Sequence, residues 1–165
     1  MEEPWLRGTL GEVDAVRRQV LHALELAGED VDVWCSELTD AEMHARPFGL
    51  PSVAYHLRHM ASSLDRLLTY AEGRQLSEPQ MAALAGEMRD PATGAKLRAE
   101  FRAGLEEARR RVLAVAPRLY EAGREVGRKR LPTTVGGLLV HCAEHTQRHV
   151  GQAVTTAKVV AGLRD

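Results

Sequence analysis

Apolar residues recur along most of this chain every three to four positions, the spacing of helices that bury one face. Val13, Val16, Val20, Leu21, Leu24 and Ala27 form the first stripe. It follows Thr9-Leu10-Gly11-Glu12, a capping-box match in which hydroxyl and carboxylate each take up a free backbone amide. A helix over 9–28 is predicted, ended by Gly28-Glu29-Asp30 or continued after a bend through Val31-Asp32-Val33-Trp34-Cys35. Thr39-Asp40-Ala41-Glu42 repeats the capping box and predicts a short turn of helix. Arg46-Pro47-Phe48-Gly49-Leu50-Pro51 then breaks the pattern, because two prolines and a glycine do not fit inside one helix.

From Ser52 a second long helix carries Val53, Leu57, Met60, Ala61, Leu64, Leu67 and Leu68 and closes near Gly73. Ser77-Glu78-Pro79 opens a short helix reaching Glu87, and Asp90-Pro91-Ala92-Thr93-Gly94 is a linker. A third long helix is predicted over 93–122, with Leu97, Phe101, Leu105, Ala108, Val112 and Val115 on one side and a kink at Pro117. Residues 123–132 read as a loop, and Thr133 or Thr134 caps a last helix running to Ala161. No run alternates long enough to build a sheet. The predicted class is therefore all-α, a four-helix bundle with additional short helices, as one domain over 1–165.

Composition narrows the partners. Basic and acidic residues number 22 and 23, for a formal charge of −1, and the arginine runs are interleaved with acids, which argues against a nucleic-acid face. The cluster Arg124, Arg128, Lys129 and Arg130 stands beside Glu121 and Glu125 and reads as a solvated helix end or loop. No apolar run approaches the ~20 residues that cross a bilayer, and two acids follow Met1 where a signal peptide needs bases. Cys35 and Cys142 have no paired spacing, so free thiols in a cytoplasmic protein are expected.

Histidine placement is the strongest chemical signal. His141, His145 and His149 are spaced by four, and a step of four turns a helix face by only about 40°. They form one tilted stripe, the usual way for a helix to offer two imidazoles to a transition metal. His145 and His149 each fall within about 20° of Leu138 on the helical wheel, whereas His141 falls about 60° away. The inner pair is His145 and His149. Gly151 would admit a neighbouring helix, and Gln152 could hold an imidazole tautomer from behind. A site needs about three protein donors, with an open position if it is catalytic. His56-Leu57-Arg58-His59 supplies the third from the second helix. Periodicity favours His56, at the edge of the apolar stripe, over His59, about 60° further round.

His141-Cys142-Ala143-Glu144-His145 also matches H-x-x-E-H, a zinc-peptidase signature with Glu144 as base. That chemistry needs a further acidic ligand downstream, and the only acid after His145 is Asp165. Cys142, about 100° from His141 on the wheel, reads as a small buried residue, and nothing marks it as a low-pKa nucleophile. His22 and His44 read as structural or surface residues, and Asp65 and Arg66 as makers of helix contacts.

Ser52-Val53-Ala54-Tyr55-His56-Leu57-Arg58-His59, taken with His145-Thr146-Gln147-Arg148-His149-Val150-Gly151-Gln152, resembles the DinB-like superfamily of bacterial metal-binding helical bundles. The family pattern has a histidine early in the second helix, then H-x-x-x-H with Gly-Gln two and three positions beyond. It maps onto His59, with Ala61 and Asp65 after it, and onto His145, His149, Gly151 and Gln152. The resemblance covers most of the chain. It implies three metal ligands, His59, His145 and His149, for a divalent ion such as nickel or zinc, and dimers in many members. Some relatives are transferases or isomerases that use low-molecular-weight thiols such as bacillithiol or mycothiol, acting on small molecules. The departures are the extra histidines at 56 and 141, and Arg148 where some relatives carry a second adjacent histidine.

The resulting expectation is a metal-dependent thiol transferase or hydrolase acting on a small molecule. Its alternative is a non-catalytic metal-binding or stress-response protein. No catalytic residue beyond the metal ligands is picked out.

Overall fold

Asp14, not Thr9, opens the first helix. In the computed structural model, which describes residues 2–86 and 91–164, α1 runs Ala15–Cys35 and the Asp14 carboxylate accepts from the Arg17 amide. The expected box at Thr9 does not form, because the Thr9 hydroxyl lies 3.1 Å from His22 Nε2 and Leu10 takes a left-handed φ of 57°. Gly28 does not stop α1. A Cβ there would lie 3.3 Å from Leu105 Cδ1, so this glycine lets two helices approach. α2 (Asp40–His44) starts with the predicted box: Thr39 Oγ1 accepts from the Glu42 amide, and the Glu42 carboxylate accepts from the Thr39 amide. The proline-rich break holds one 3-10 turn, with Phe48 at φ 51° and its side chain exposed.

α3 (Val53–Ala71) follows, capped by Ser52, and the turn after it has Gly73 at φ 78°. The short helix α4 spans Glu78–Gly86; its expected end at Glu87, and Asp90 of the linker, lie outside the described residues. α5 (Gly94–Ala114) is capped by Thr93 and ends eight residues before the expected 122. Proline disfavours a helical conformation in the residue before it, and Ala116 is extended, leading to one 3-10 turn at Pro117–Leu119. The expected loop over 123–132 is mostly a hairpin: β1 (Gly123–Val126) pairs antiparallel with β2 (Leu131–Thr134), with Gly123 opposite Thr134 and Val126 opposite Leu131. Thr134 caps α6, which runs Val135–Gly162.

The architecture is mostly helical, with that small hairpin beside it. The long helices α1, α6, α3 and α5 pack in that cyclic order, each touching the next, and α5 closes on α1. Leu21, Leu24 and Val31 of α1, Leu57, Met60, Leu64 and Leu68 of α3, Leu97 and Phe101 of α5, and Leu139 and Val150 of α6 fill the centre. Each such side chain contributes roughly 1.5–3 kcal/mol by leaving water. α5 and α3 come close at Gly104, where an added Cβ would sit 2.9 Å from Ala61 Cβ.

One buried cation ties α5 to α3. Arg111 donates to the carboxylates of Asp65 and Glu72, each at 2.7 Å, and to Thr69 Oγ1 at 3.1 Å. Asp65 is thus a helix-contact residue. Among the described residues, no helix is long and apolar enough to cross a membrane.

Candidate metal centre

The site lies where α3 meets α6. Ser52 Oγ accepts from the Tyr55 amide and sets the start of α3, while Thr156 of α6 donates to the Pro51 carbonyl at 3.1 Å. On the other side, Gln147 donates to the Ala23 carbonyl at 2.7 Å and fixes α6 against α1. These contacts hold the first two turns of α3 opposite the middle of α6.

Across that seam the imidazoles of His59, His145 and His149 converge. Their candidate ligand nitrogens lie within 4.8 Å of one another, and all three side chains are half-buried. His59 Nε2 and His145 Nε2 are 3.1 Å apart. Ring centroids are 4.4 Å apart for His59 and His149, and 4.5 Å for His145 and His149. Two imidazole nitrogens bound to one ion at about 2.05 Å, with an angle between about 90° and 109°, stand about 2.9–3.3 Å apart. The 3.1 Å separation of His59 and His145 falls inside that window, and with His149 within 4.8 Å the donor set is compatible with a divalent cation.

His56 lies behind this cluster rather than in it. It is 1 % exposed, and its Nδ1 is 3.0 Å from His149 Nδ1. His56 Nε2 is buried without a hydrogen-bond partner among the described residues. Burial, with the nearby His59, holds the His56 imidazole down at about 4. Burial, followed by repulsion from His59, His145 and His56, likewise holds His149 at about 4. Both rings are neutral near pH 7, the form that can act as a ligand or as a hydrogen-bonded partner of one.

His141 stays outside. Its Nδ1 is 2.9 Å from Glu144 Oε2 on the exposed flank of α6, and Glu144 also pairs with Arg148. Glu144 is therefore committed to its own helix, away from the three imidazoles. Gln152 is exposed, and a Cβ on Gly151 would meet nothing within 4 Å. Neither residue performs the local task expected of it; the side chain set against His149 is His56.

Cys142 is fully buried, its thiol pushed up to about 12 by desolvation, and Cys35 is likewise buried at about 11. Both are free and in the non-nucleophilic form. His22 is buried against Thr9, and His44 Nε2 lies 2.8 Å from the Ala92 carbonyl oxygen, so both are structural.

Two neighbours of the cluster are not singled out by sequence pattern. Tyr55 stacks on His59 with centroids 5.3 Å apart and planes 18° apart. Ser63 Oγ lies 3.4 Å from His59 Nε2 and accepts from Arg66 at 2.9 Å. Their positions four residues before and after His59 place them on its face of α3, a signal available only once His59 is known to face α6. A separate apolar cavity of about 340 Å³, lined by Leu57, Ala61, Leu97 and Phe101, opens on the other face of α3, towards α5.

A family model for the DinB superfamily matches residues 23–153, a span that includes α3 and every histidine of the cluster. The chain belongs to the DinB superfamily. The fold of this DinB-superfamily protein is similar to a solved structure titled as the conserved protein of locus from Enterococcus faecalis. That likeness has a TM-score of 0.70 over 91 % of this chain and 99 % of the other, at 20 % identity, and it speaks to the fold alone. No curated protein matches the chain in sequence.

Proposed function

We propose that this DinB-superfamily protein is a metal-dependent enzyme, folded as one domain, acting on a small molecule by thiol transfer or hydrolysis. His59, His145 and His149 are its metal ligands. The supporting observation is the convergence of three half-buried imidazoles from two helices, with the Nε2 atoms of His59 and His145 3.1 Å apart. A donor set of three imidazole nitrogens suits nickel or zinc. A bound divalent ion would supply Lewis-acid activation, lowering the pKa of a thiol or of water.

The chain's own contribution is placement. His145 and His149 stand one turn apart on a helix anchored at both neighbours, and Tyr55 packs against the ring of His59 and restricts its rotation. The half-buried position leaves one side of the cluster towards solvent, where a substrate can approach. A low-molecular-weight thiol is the proposed co-substrate and the working form a homodimer, on the strength of the family resemblance, and the proposed cytoplasmic location rests on the free cysteines.

The test is metal analysis of protein purified without added metal, followed by a screen of thiols against an electrophilic acceptor with metal-loaded and metal-free protein. Near-stoichiometric metal and metal-dependent turnover are expected. Stoichiometric metal without turnover of any thiol or hydrolysable ester would support the non-catalytic, metal-binding alternative.

A further inference from the structure

We infer that His56 is a positioning residue for the metal centre: it accepts a hydrogen bond from His149 Nδ1–H and so holds His149 in the tautomer that leaves Nε2 for the metal. The inference rests on the metal reading above and concerns a residue that reading does not use.

The geometry supplies the argument. The Nδ1 atoms of His56 and His149 are 3.0 Å apart, a hydrogen-bond distance that requires one ring to donate and the other to accept. A neutral imidazole carries one proton. If His149 binds metal through Nε2, its proton is on Nδ1, and His56 must be the acceptor. If His56 were the donor instead, His149 would carry its proton on Nε2 and could not ligate there. Metal binding and the direction of this hydrogen bond are therefore one choice, and His56 is the group that makes the productive option favourable.

A packing role accounts for His56 poorly. The residue is 1 % exposed, on a face of α3 shared with the buried Val53, Leu57 and Met60, and its Nε2 lacks a partner among the described residues. Burying such a group half-satisfied is destabilising, a cost that a leucine of similar size would avoid. Nor does His56 belong to the ligand set, since the converging group comprises His59, His145 and His149. Histidine ligands elsewhere commonly donate their second ring nitrogen to a carboxylate or carbonyl, and removing that partner costs about 10–100-fold in metal affinity. Here a second imidazole takes that place.

The experiment is a zinc titration of the full chain against a chromophoric chelator, for wild type, His56→Leu and His56→Asn. Long-range proton–nitrogen correlation spectra of the zinc-loaded wild type read the His149 tautomer. Asparagine places an oxygen where His56 has Nδ1, so it retains an acceptor; leucine does not. Expected are a loss of about 10–100-fold in affinity for His56→Leu, affinity within a few-fold of wild type for His56→Asn, and a protonated Nδ1 on His149. A merely structural role would shift the melting temperature of the metal-free forms and leave affinity and tautomer alone. Wild-type affinity in His56→Leu, equal losses in both variants, or a His149 ligating through Nδ1 would each overturn the inference. If His56→Leu does not fold, the asparagine variant and the wild-type tautomer still decide. A wild type that binds no divalent ion would instead sink the metal reading, and this inference with it.

Discussion

Replacing Asp14 should destabilise the junction where α1 begins and α5 ends. The carboxylate caps α1 through the Arg17 amide at 3.3 Å, and it accepts from Arg17 Nε and from the Tyr120 hydroxyl, each at 2.5 Å. Arg17 in turn donates to the Leu113 and Val115 carbonyls, at 2.7 and 3.1 Å, where α5 ends. One aspartate thus joins the start of α1, the end of α5 and the segment leading to the hairpin. Loss of an N-cap costs about 1 kcal/mol, and hydrogen bonds to a charged group add about 1.5–3 kcal/mol when well buried. With the side chain 29 % exposed, about 2–3 kcal/mol is expected in all for Asp14→Ala.

The ionisation of Asp14 gives an independent magnitude. Burial acts to raise its pKa, but the hydrogen bonds from Tyr120 and Arg17 outweigh it and bring the carboxyl from 3.8 down to about 2. At about 1.36 kcal/mol per unit that is about 2.4 kcal/mol, reduced to about 1–2 kcal/mol by solvent screening. The folded pKa is depressed, so this stability is fully present above about pH 4 and is lost as the pH falls towards 2. Asparagine caps as well as aspartate, so Asp14→Asn should keep the Oδ1 acceptor for the Arg17 amide and the Tyr120 hydroxyl and lose the charge together with the oxygen that accepts from Arg17 Nε. Urea unfolding should show wild type exceeding Asp14→Asn by about 1–2 kcal/mol at neutral pH, with the gap falling to about half near pH 3. A gap that is the same at both pH values, or an Asp14→Ala variant within about 0.5 kcal/mol of wild type, would refute the reasoning.

Three further outcomes follow from the same geometry. His145→Ala should lower bound metal sharply in elemental analysis, with the helical circular-dichroism signal retained; unchanged metal would remove His145 from the ligand set. Cys142 should not react with a thiol reagent in the native protein at pH 8 and should react on unfolding, since it is fully buried and its thiol is held near 12. Gly104→Ala should destabilise by about 1–3 kcal/mol despite alanine's better helix propensity, because its Cβ would meet Ala61 at 2.9 Å. The Ala61→Gly, Gly104→Ala double variant should recover most of that loss in thermal denaturation.

Much of this was legible from periodicity. α3 and α6 are long, strongly patterned, and bounded by Pro51-Ser52 and Thr134, and both form where expected. The start of α1 was not, because the capping-box pattern at Thr9 is local, whereas His22 competes for that hydroxyl from a turn of α1. The hairpin escaped because its strands have four residues each and one contains Pro132, too short a span for alternation to register. At the site, the wheel took the apolar stripe of α3 as its only inward direction. α3 in fact packs on two long helices, α5 and α6, so its inward arc is wider: Leu57 and Leu64 fill the core, His56 sits deep beside α6, and His59 reaches the half-buried rim. The histidine ranked as more inward is too deep to share the converging position.

The order of helices around the bundle has a consequence for assembly. α6 follows α1, α3 and α5 in the chain, yet its place is between α1 and α3. The last long helix thus lies between two that precede it in the chain. Two of the converging imidazoles belong to α6 and the third to α3, so a shared ion would act as a clasp between the last long helix and α3. Linkage gives the size of that clasp: about 2.7 kcal/mol when free metal stands at a hundred times its dissociation constant. The supply of metal would then govern how firmly α6 is seated, and a starved cell would hold the same chain in a looser form.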